Sequence, residues 1–133
     1  LQVLEVHTPA DINKVLAAFG GRAQAMIALP SPLMHGQNVQ FAKLATKHRL
    51  PGVSMFVPFA DAGGLLAYGP NFPATVEQCA VLVAKILSGG KPGDLPVERP
   101  AKFDFVLNLK TARDLHLTIP DTVLLRADRV IQK

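Results

Sequence analysis

Hydrophobic and polar positions follow two periods along this chain, and the switches between them mark out its elements. Leu1-Gln2-Val3-Leu4-Glu5-Val6 alternates as a strand does and predicts one over residues 1–6. His7-Thr8-Pro9 breaks that pattern. Ile12, Val15, Leu16 and Phe19 then recur at helical spacing and predict a helix over 10–19. Thr8 is its cap, Pro9 its first residue, and Gly20-Gly21 its end. Ala23 to Leu29 is apolar except for Gln24, the pattern of a short buried strand. Pro30-Ser31-Pro32 closes it, and a helix is predicted over 33–49, with Met34, Phe41, Leu44, Ala45 and His48 on or near one face. Leu50-Pro51-Gly52 stops that helix and Val53 to Val57 reads as a third strand. The order β-α-β-α-β implies a parallel sheet, since right-handed crossovers join strands that way.

The stretch from Gly52 to Pro96 organises the rest. The turn Pro58-Phe59-Ala60-Asp61-Ala62-Gly63-Gly64 follows the third strand, and a short apolar run, Leu65 to Tyr68, predicts a fourth strand stopped by Gly69-Pro70-Asn71. A helix over 72–88 follows. Val76, Cys79, Ala80, Val83, Ile86 and Leu87 form its apolar stripe, widened by Val81, Leu82 and Ala84, so much of its circumference should be covered. Residues 89–102, rich in proline, glycine and charge, read as a linker or an extended crossing. Phe103 to Leu107 is a fifth strand, Asn108 caps a helix from Leu109 to Leu115, and a last helix is expected over 121–131.

Composition adds bounds. With 133 residues, 49% hydrophobic and 18% charged, the chain suits one domain with a real core. No apolar run approaches the ~18 residues of a membrane span. The chain opens at Leu1 inside a strand-like pattern, without an initiator Met or signal peptide, and reads as a piece of a longer protein. The single cysteine, Cys79, leaves the redox compartment open. The net charge of +4 is scattered, and its one cluster, Lys47-His48-Arg49, falls at a helix end where cations are favoured by the dipole. With one Tyr, no Trp and no basic stripe, nucleic acid is not an expected partner.

The chemistry on offer is sparse. Asp61 is expected just past a strand end, beside Gly63 and Gly64, whose amides would face a ligand. A carboxylate suits an ammonium and exposed amides suit an anion, so together they suit an amino acid. Against this, Asp61 reads also, and more simply, as a solvated loop acid beside turn glycines. Pro30 and Ser31 lie at another strand end, where Ser31 either caps the next helix or helps to hold a carboxylate. Tyr68 could stack on a ligand ring or simply pack. His7, His35, His48 and His116 lack metal-ligand spacing, and neither a G-x-S-x-G elbow nor a phosphate-binding glycine loop is present. No metal or cofactor is expected. An α/β enzyme domain using Asp61 as acid or base is one alternative, but no His, Lys or metal partner is placed beside it. A response-regulator-like interaction domain is another; His7-Thr8-Pro9 does not supply the acids that it needs.

At KHRLPG, at DAGGLLAYGPN and at AKILSGGKPGDLPVERPAKFDFVLNLKTARDLHLTIP, the chain resembles the ABC-transporter substrate-binding proteins of the tryptophan/tyrosine type. The resemblance runs from about Leu1 to Ile131 and corresponds to the C-terminal part of such proteins. It implies a Rossmann-like α/β fold with a mostly parallel sheet, part of a two-lobed type I periplasmic-binding-protein fold. It further implies that 1–62 and 103–133 belong to the C-terminal lobe, whose first strand and helix are missing, while 63–102 crosses to the N-terminal lobe. The implied function is solute capture for an ABC importer without covalent chemistry. The solute would be an amino acid, aromatic among the candidates, or another carboxylate. The implied partners are that solute and a membrane permease. The implied location is periplasmic or membrane-anchored on the outer side. Of the family's site, only Pro30-Ser31 and Asp61-Ala62-Gly63-Gly64 carry over. The wide apolar stripe of helix 72–88 adds an expectation of self-association or exchange of that helix between copies.

Overall fold

The computed structural model describes residues 1–19 and 22–132. Its elements are α1 (Pro9–Ala18), β1 (Met26–Ala28), α2 (Pro32–Gly36), α3 (Asn38–Lys47), β2 (Gly52–Ser54), α4 (Val57–Asp61), β3 (Leu66–Pro70), α5 (Phe72–Leu87), β4 (Phe103–Asn108), α6 (Leu109–Asp114), α7 (Asp121–Leu124) and β5 (Arg129–Ile131). The fold is α/β. One five-stranded sheet has the order β1-β2-β3-β4-β5. β1, β2 and β3 run parallel, and so do β4 and β5. Between β3 and β4, Asn108 N–H donates to Leu65 C=O and Asn71 N–H to Lys102 C=O. Positions rise on one strand as they fall on the other, so this pair is antiparallel.

The chain divides into two compact units, residues 1–69 with 105–133, and residues 70–104. In the first, Ile12, Leu16, Phe19, Met34, Phe41, Ala42, Leu50 and Phe59 form the main core cluster, and Ala60, Ala67 and Val106 a second one. α1 delivers Ile12 and Leu16 to that core at the spacing the sequence shows. At its start the Thr8 N–H and hydroxyl both donate to the Asp11 carboxylate, at 2.8 and 2.7 Å. The expected stop at Gly20-Gly21 lies outside the described residues.

In the second unit, Asn71 caps α5 by accepting the Ala74 N–H at 2.9 Å. Its side-chain amide donates to both oxygens of Asp104, at 3.0 and 2.9 Å. α5 matches the sequence reading in extent, yet none of its residues is buried, and Val76, Val81, Val83 and Leu87 are more than half exposed. Residues 89–102 are irregular apart from one 3-10 turn, Pro92–Asp94.

Several expected elements are corrected. Residues 1–6 form no strand: an alternating pattern needs a neighbour to bond, and β1 is the sheet's edge on this side. Val6 alone packs on the core. The helix expected over 33–49 is two helices, broken at Gln37. There the buried Asn38 side chain donates to the His35 C=O at 2.7 Å, satisfying a carbonyl that a continuous helix would have bonded. The third strand stops at Ser54, whose hydroxyl accepts the Phe56 N–H at 3.2 Å, and Val57 to Asp61 is helical. The last helix ends at Leu124, and 129–131 is a strand. Asp128 causes this, because its N–H donates to Phe105 C=O at 2.9 Å while its carboxylate accepts the Phe105 N–H at 2.7 Å.

Candidate functional site

The register Ala28–Ser54 places the carboxyl ends of β1 and β2 level with each other, beside Ala67, and β3 runs on past them to Pro70. Ligands of open α/β sheets bind outside such ends. Two short segments leave the sheet here, Leu29-Pro30-Ser31 after β1 and Met55-Phe56 after β2, and a third, Tyr68-Gly69, is the part of β3 that runs on beside them.

Each segment is held by a local device. The Ser31 hydroxyl accepts the Met34 N–H at 3.1 Å and so starts α2, with Pro32 in its first turn. That capping leaves the hydroxyl hydrogen able to donate elsewhere. Ser54, buried to 2% exposure, fixes the Phe56 backbone through the bond already described. α2 in turn brings His35 against Phe56, with ring centroids 4.7 Å apart and planes at 75°. Tyr68 stands 56% exposed, edge-on to Phe105 at 6.0 Å. The segments LPSPLMH, SMFVP and AYG contain no Asp, Glu, Lys or Arg. These segments therefore offer aromatic rings, hydroxyls and apolar surface; the Asp128 carboxylate stands beyond them, accepting the Phe105 N–H.

Asp61, Gly63 and Gly64 lie elsewhere. They precede β3, so they stand at its amino end, on the opposite edge of the sheet from Pro30, Ser31 and Tyr68. The expected position of Asp61 just past a strand end is corrected: it closes the short helix α4. Its Oδ1 accepts from Arg129 Nη2 at 2.6 Å. The expected free amides are corrected too. Gly63 N–H donates to Ala60 C=O at 3.1 Å and Gly64 N–H to Phe59 C=O at 2.8 Å.

The glycines have clear structural reasons. Gly63 has φ +105°, a backbone state that side chains other than glycine's rarely adopt. A Cβ on Gly64 would overlap the ring of Phe59, which is fully buried. The Gly63 carbonyl accepts two hydroxyls, Thr46 Oγ1 and Thr111 Oγ1, each at 2.9 Å. Asn108 accepts the Thr111 N–H at 3.0 Å and donates to Ala60 C=O at 2.9 Å. These groups surround a cavity of about 380 Å³ that Asp61 also lines, with Lys43 and Lys110. Its bonds are internal ones that join α3, α4 and α6.

The sequence places Pro30 and Ser31 after a strand end, as observed, while Tyr68, expected at the end of the fourth strand, lies inside β3, which runs on to Pro70; His35 and Phe56 are not among the expected site residues. The signal available for His35 and Phe56 was that each follows a parallel strand by a few residues, in a segment without Asp, Glu, Lys or Arg. Among the described residues no cluster of three or more His, Cys, Asp or Glu is placed to hold a metal ion, and no helix is long and apolar enough to cross a membrane.

The family model described as ABC transporter substrate binding protein matches residues 1–131. The chain belongs to that family. No curated protein sequence matches it. Among solved structures it is similar to a conserved domain protein from Vibrio cholerae O1 biovar eltor, at 26% identity over 92% of this chain and 42% of that one, with a TM-score of 0.84. It is similar to an ABC domain in complex with L-Trp from Streptococcus pneumoniae, at 21% identity, 98% and 44% coverage and a TM-score of 0.88. It is also similar to the ligand-free, open structure of a substrate binding protein with adhesive properties from Clostridium difficile, at 20% identity, 96% and 43% coverage and a TM-score of 0.64. The chain thus spans less than half the length of these proteins. The likeness is one of fold, part of the two-lobed periplasmic-binding-protein architecture.

Proposed function

We infer that this chain supplies one wall of the solute cleft in the binding component of an ABC importer. The wall is the carboxyl edge of β1–β3, with Ser31, Pro30 and Tyr68 on it. The solute is a small organic molecule, and an amino acid is the first choice, an aromatic one in particular. One observation carries this reading: two parallel strands end level beside a third that runs on past them, and the segments at this edge bear an exposed tyrosine and a capping serine and no acidic or basic residue of their own. Family membership and the L-Trp found on a neighbour of the same fold support it.

Capture needs no bond making. Solute that touches both walls only in a closed state shifts the open–closed balance toward closure. The closed form then docks on a membrane permease outside the cytoplasm. On this reading residues 63–102 run toward the other lobe, and the apolar side of α5 is covered in the whole protein.

Asp61, Gly63 and Gly64 have a structural role in this account. Their opposite-edge position and their internal bonds support that assignment. Native mass spectrometry of the full-length protein as purified tests the reading. A co-purifying small molecule that leaves on mild activation supports it. A permanently bare protein that also ignores added amino acids and other small carboxylates contradicts it.

A further inference from the structure

Two rings that the sequence reading passed over are candidates for reading the solute. His35 leaves α2, the helix that follows β1, and Phe56 starts α4, the helix that follows β2. Their contact therefore bridges two neighbouring strand ends. His35 is exposed and Phe56 half-buried, so the pair is no part of either core cluster. Core packing does not account for it.

The surroundings fix the pair in place. Phe56 is held through its backbone by the buried Ser54 hydroxyl at 3.2 Å. α2 is anchored at its start by Ser31 and at its end by the Asn38 side chain on the His35 carbonyl. Both rings thus sit on short helices whose ends are bonded, close to the strand ends. A planar ring laid on such a pair gains offset or edge contacts beyond its buried area. An aliphatic side chain of similar size gains only the area.

We propose that His35 and Phe56 together set selectivity for solutes that carry a planar ring over aliphatic ones. This rests on the solute-capture reading. Ser31, beside them, would meet the polar end of the same solute through its hydroxyl hydrogen. The segments that carry the two rings hold no acidic or basic residue besides His35 itself.

The test is equilibrium dialysis of the full-length protein against L-tryptophan, L-tyrosine, L-leucine and L-glutamate. Phe56→Leu keeps an apolar side chain without a ring, and His35→Gln keeps a polar one without a ring. Thermal melts without solute establish that both variants are folded. The wild type is expected to prefer the ring-bearing solutes. In Phe56→Leu the affinity for L-tryptophan is expected to fall about tenfold while that for L-leucine changes less than about twofold, with a smaller change of the same kind in His35→Gln. Folded variants that keep the wild-type ratio of L-tryptophan to L-leucine overturn this inference and leave the capture reading standing. A wild type that binds none of the four solutes overturns the amino-acid reading and this inference with it.

Discussion

Asp61 and Arg129, 68 positions apart in the chain, meet in an ion pair of 2.6 Å that ties the end of α4 to β5. Both side chains are about half exposed, so water and salt screen the pair. Asp61→Asn is expected to lower stability by about 0.2–1 kcal/mol, less at high salt, as for other exposed pairs. Solute affinity should stay at its wild-type value. Chemical denaturation at two salt concentrations, with calorimetric titration alongside, checks both parts. A large affinity loss without a stability change would return Asp61 to the binding site.

Gly64 is the position least able to take a side chain. Gly64→Ala would press a methyl into the Phe59 ring, which is sealed in the main core cluster. Overpacking of this kind costs about 1–3 kcal/mol. A lowered melting temperature with unchanged solute affinity in the surviving folded protein is the expected result.

The sequence pattern revealed the fold class because it depends on local signals. Ile12 and Leu16 at helical spacing, the Asn108 cap and the apolar run at 103–107 each acted within a few residues. It failed where a distant partner decided. Val123, Leu124, Ala127, Val130 and Ile131 have helical spacing, but Asp128 bonds the Phe105 backbone and turns the last three into the approach and body of β5. The same limit applied to the site. Asp61 and Gly63 looked like a ligand turn because Arg129, Thr46 and Thr111, their partners, are far away in sequence. His35 was weighed only as a metal ligand and Phe56 not at all, because their contact depends on β1 and β2 being neighbours.

Two helices end on residues that are not glycine in the left-handed region, Arg49 at φ 54° and His116 at φ 56°. Each end carries the double Schellman bonds, Leu50 N–H to Ala45 C=O and Leu117 N–H to Ala112 C=O among them. Arg49→Gly and His116→Gly relieve that strain and are expected to stabilise the protein by about 0.5–1 kcal/mol each, after the added freedom of the unfolded chain is counted. Raised denaturation midpoints with an unchanged slope check this.

The start of α1 gives a pH dependence. The Thr8 hydroxyl and N–H, donating to Asp11, hold its carboxyl below the usual carboxylate range. A carboxyl lowered in the folded state adds stability that is fully present above its unfolded value and is lost as pH falls through the folded one. Acid should therefore weaken the wild type more than Asp11→Asn. Denaturation curves at neutral and acid pH compare the two.

α5 leaves Val76, Val81, Val83 and Leu87 in water when the 133-residue chain is alone. The isolated chain is expected to self-associate through them. Sedimentation at rising concentration checks this, and Val76→Lys with Val83→Glu should shift the chain toward monomer. A compact monomer at all concentrations that binds no apolar dye would contradict it.

The central claim is that the protein holds a solute and returns it intact. Calorimetric titration of the full-length protein with L-tryptophan, followed by mass spectrometry of the recovered ligand after long incubation, tests it most directly. One saturable site and a ligand of unchanged mass are the results this account predicts. Conversion of the ligand beyond the amount of protein present would contradict it.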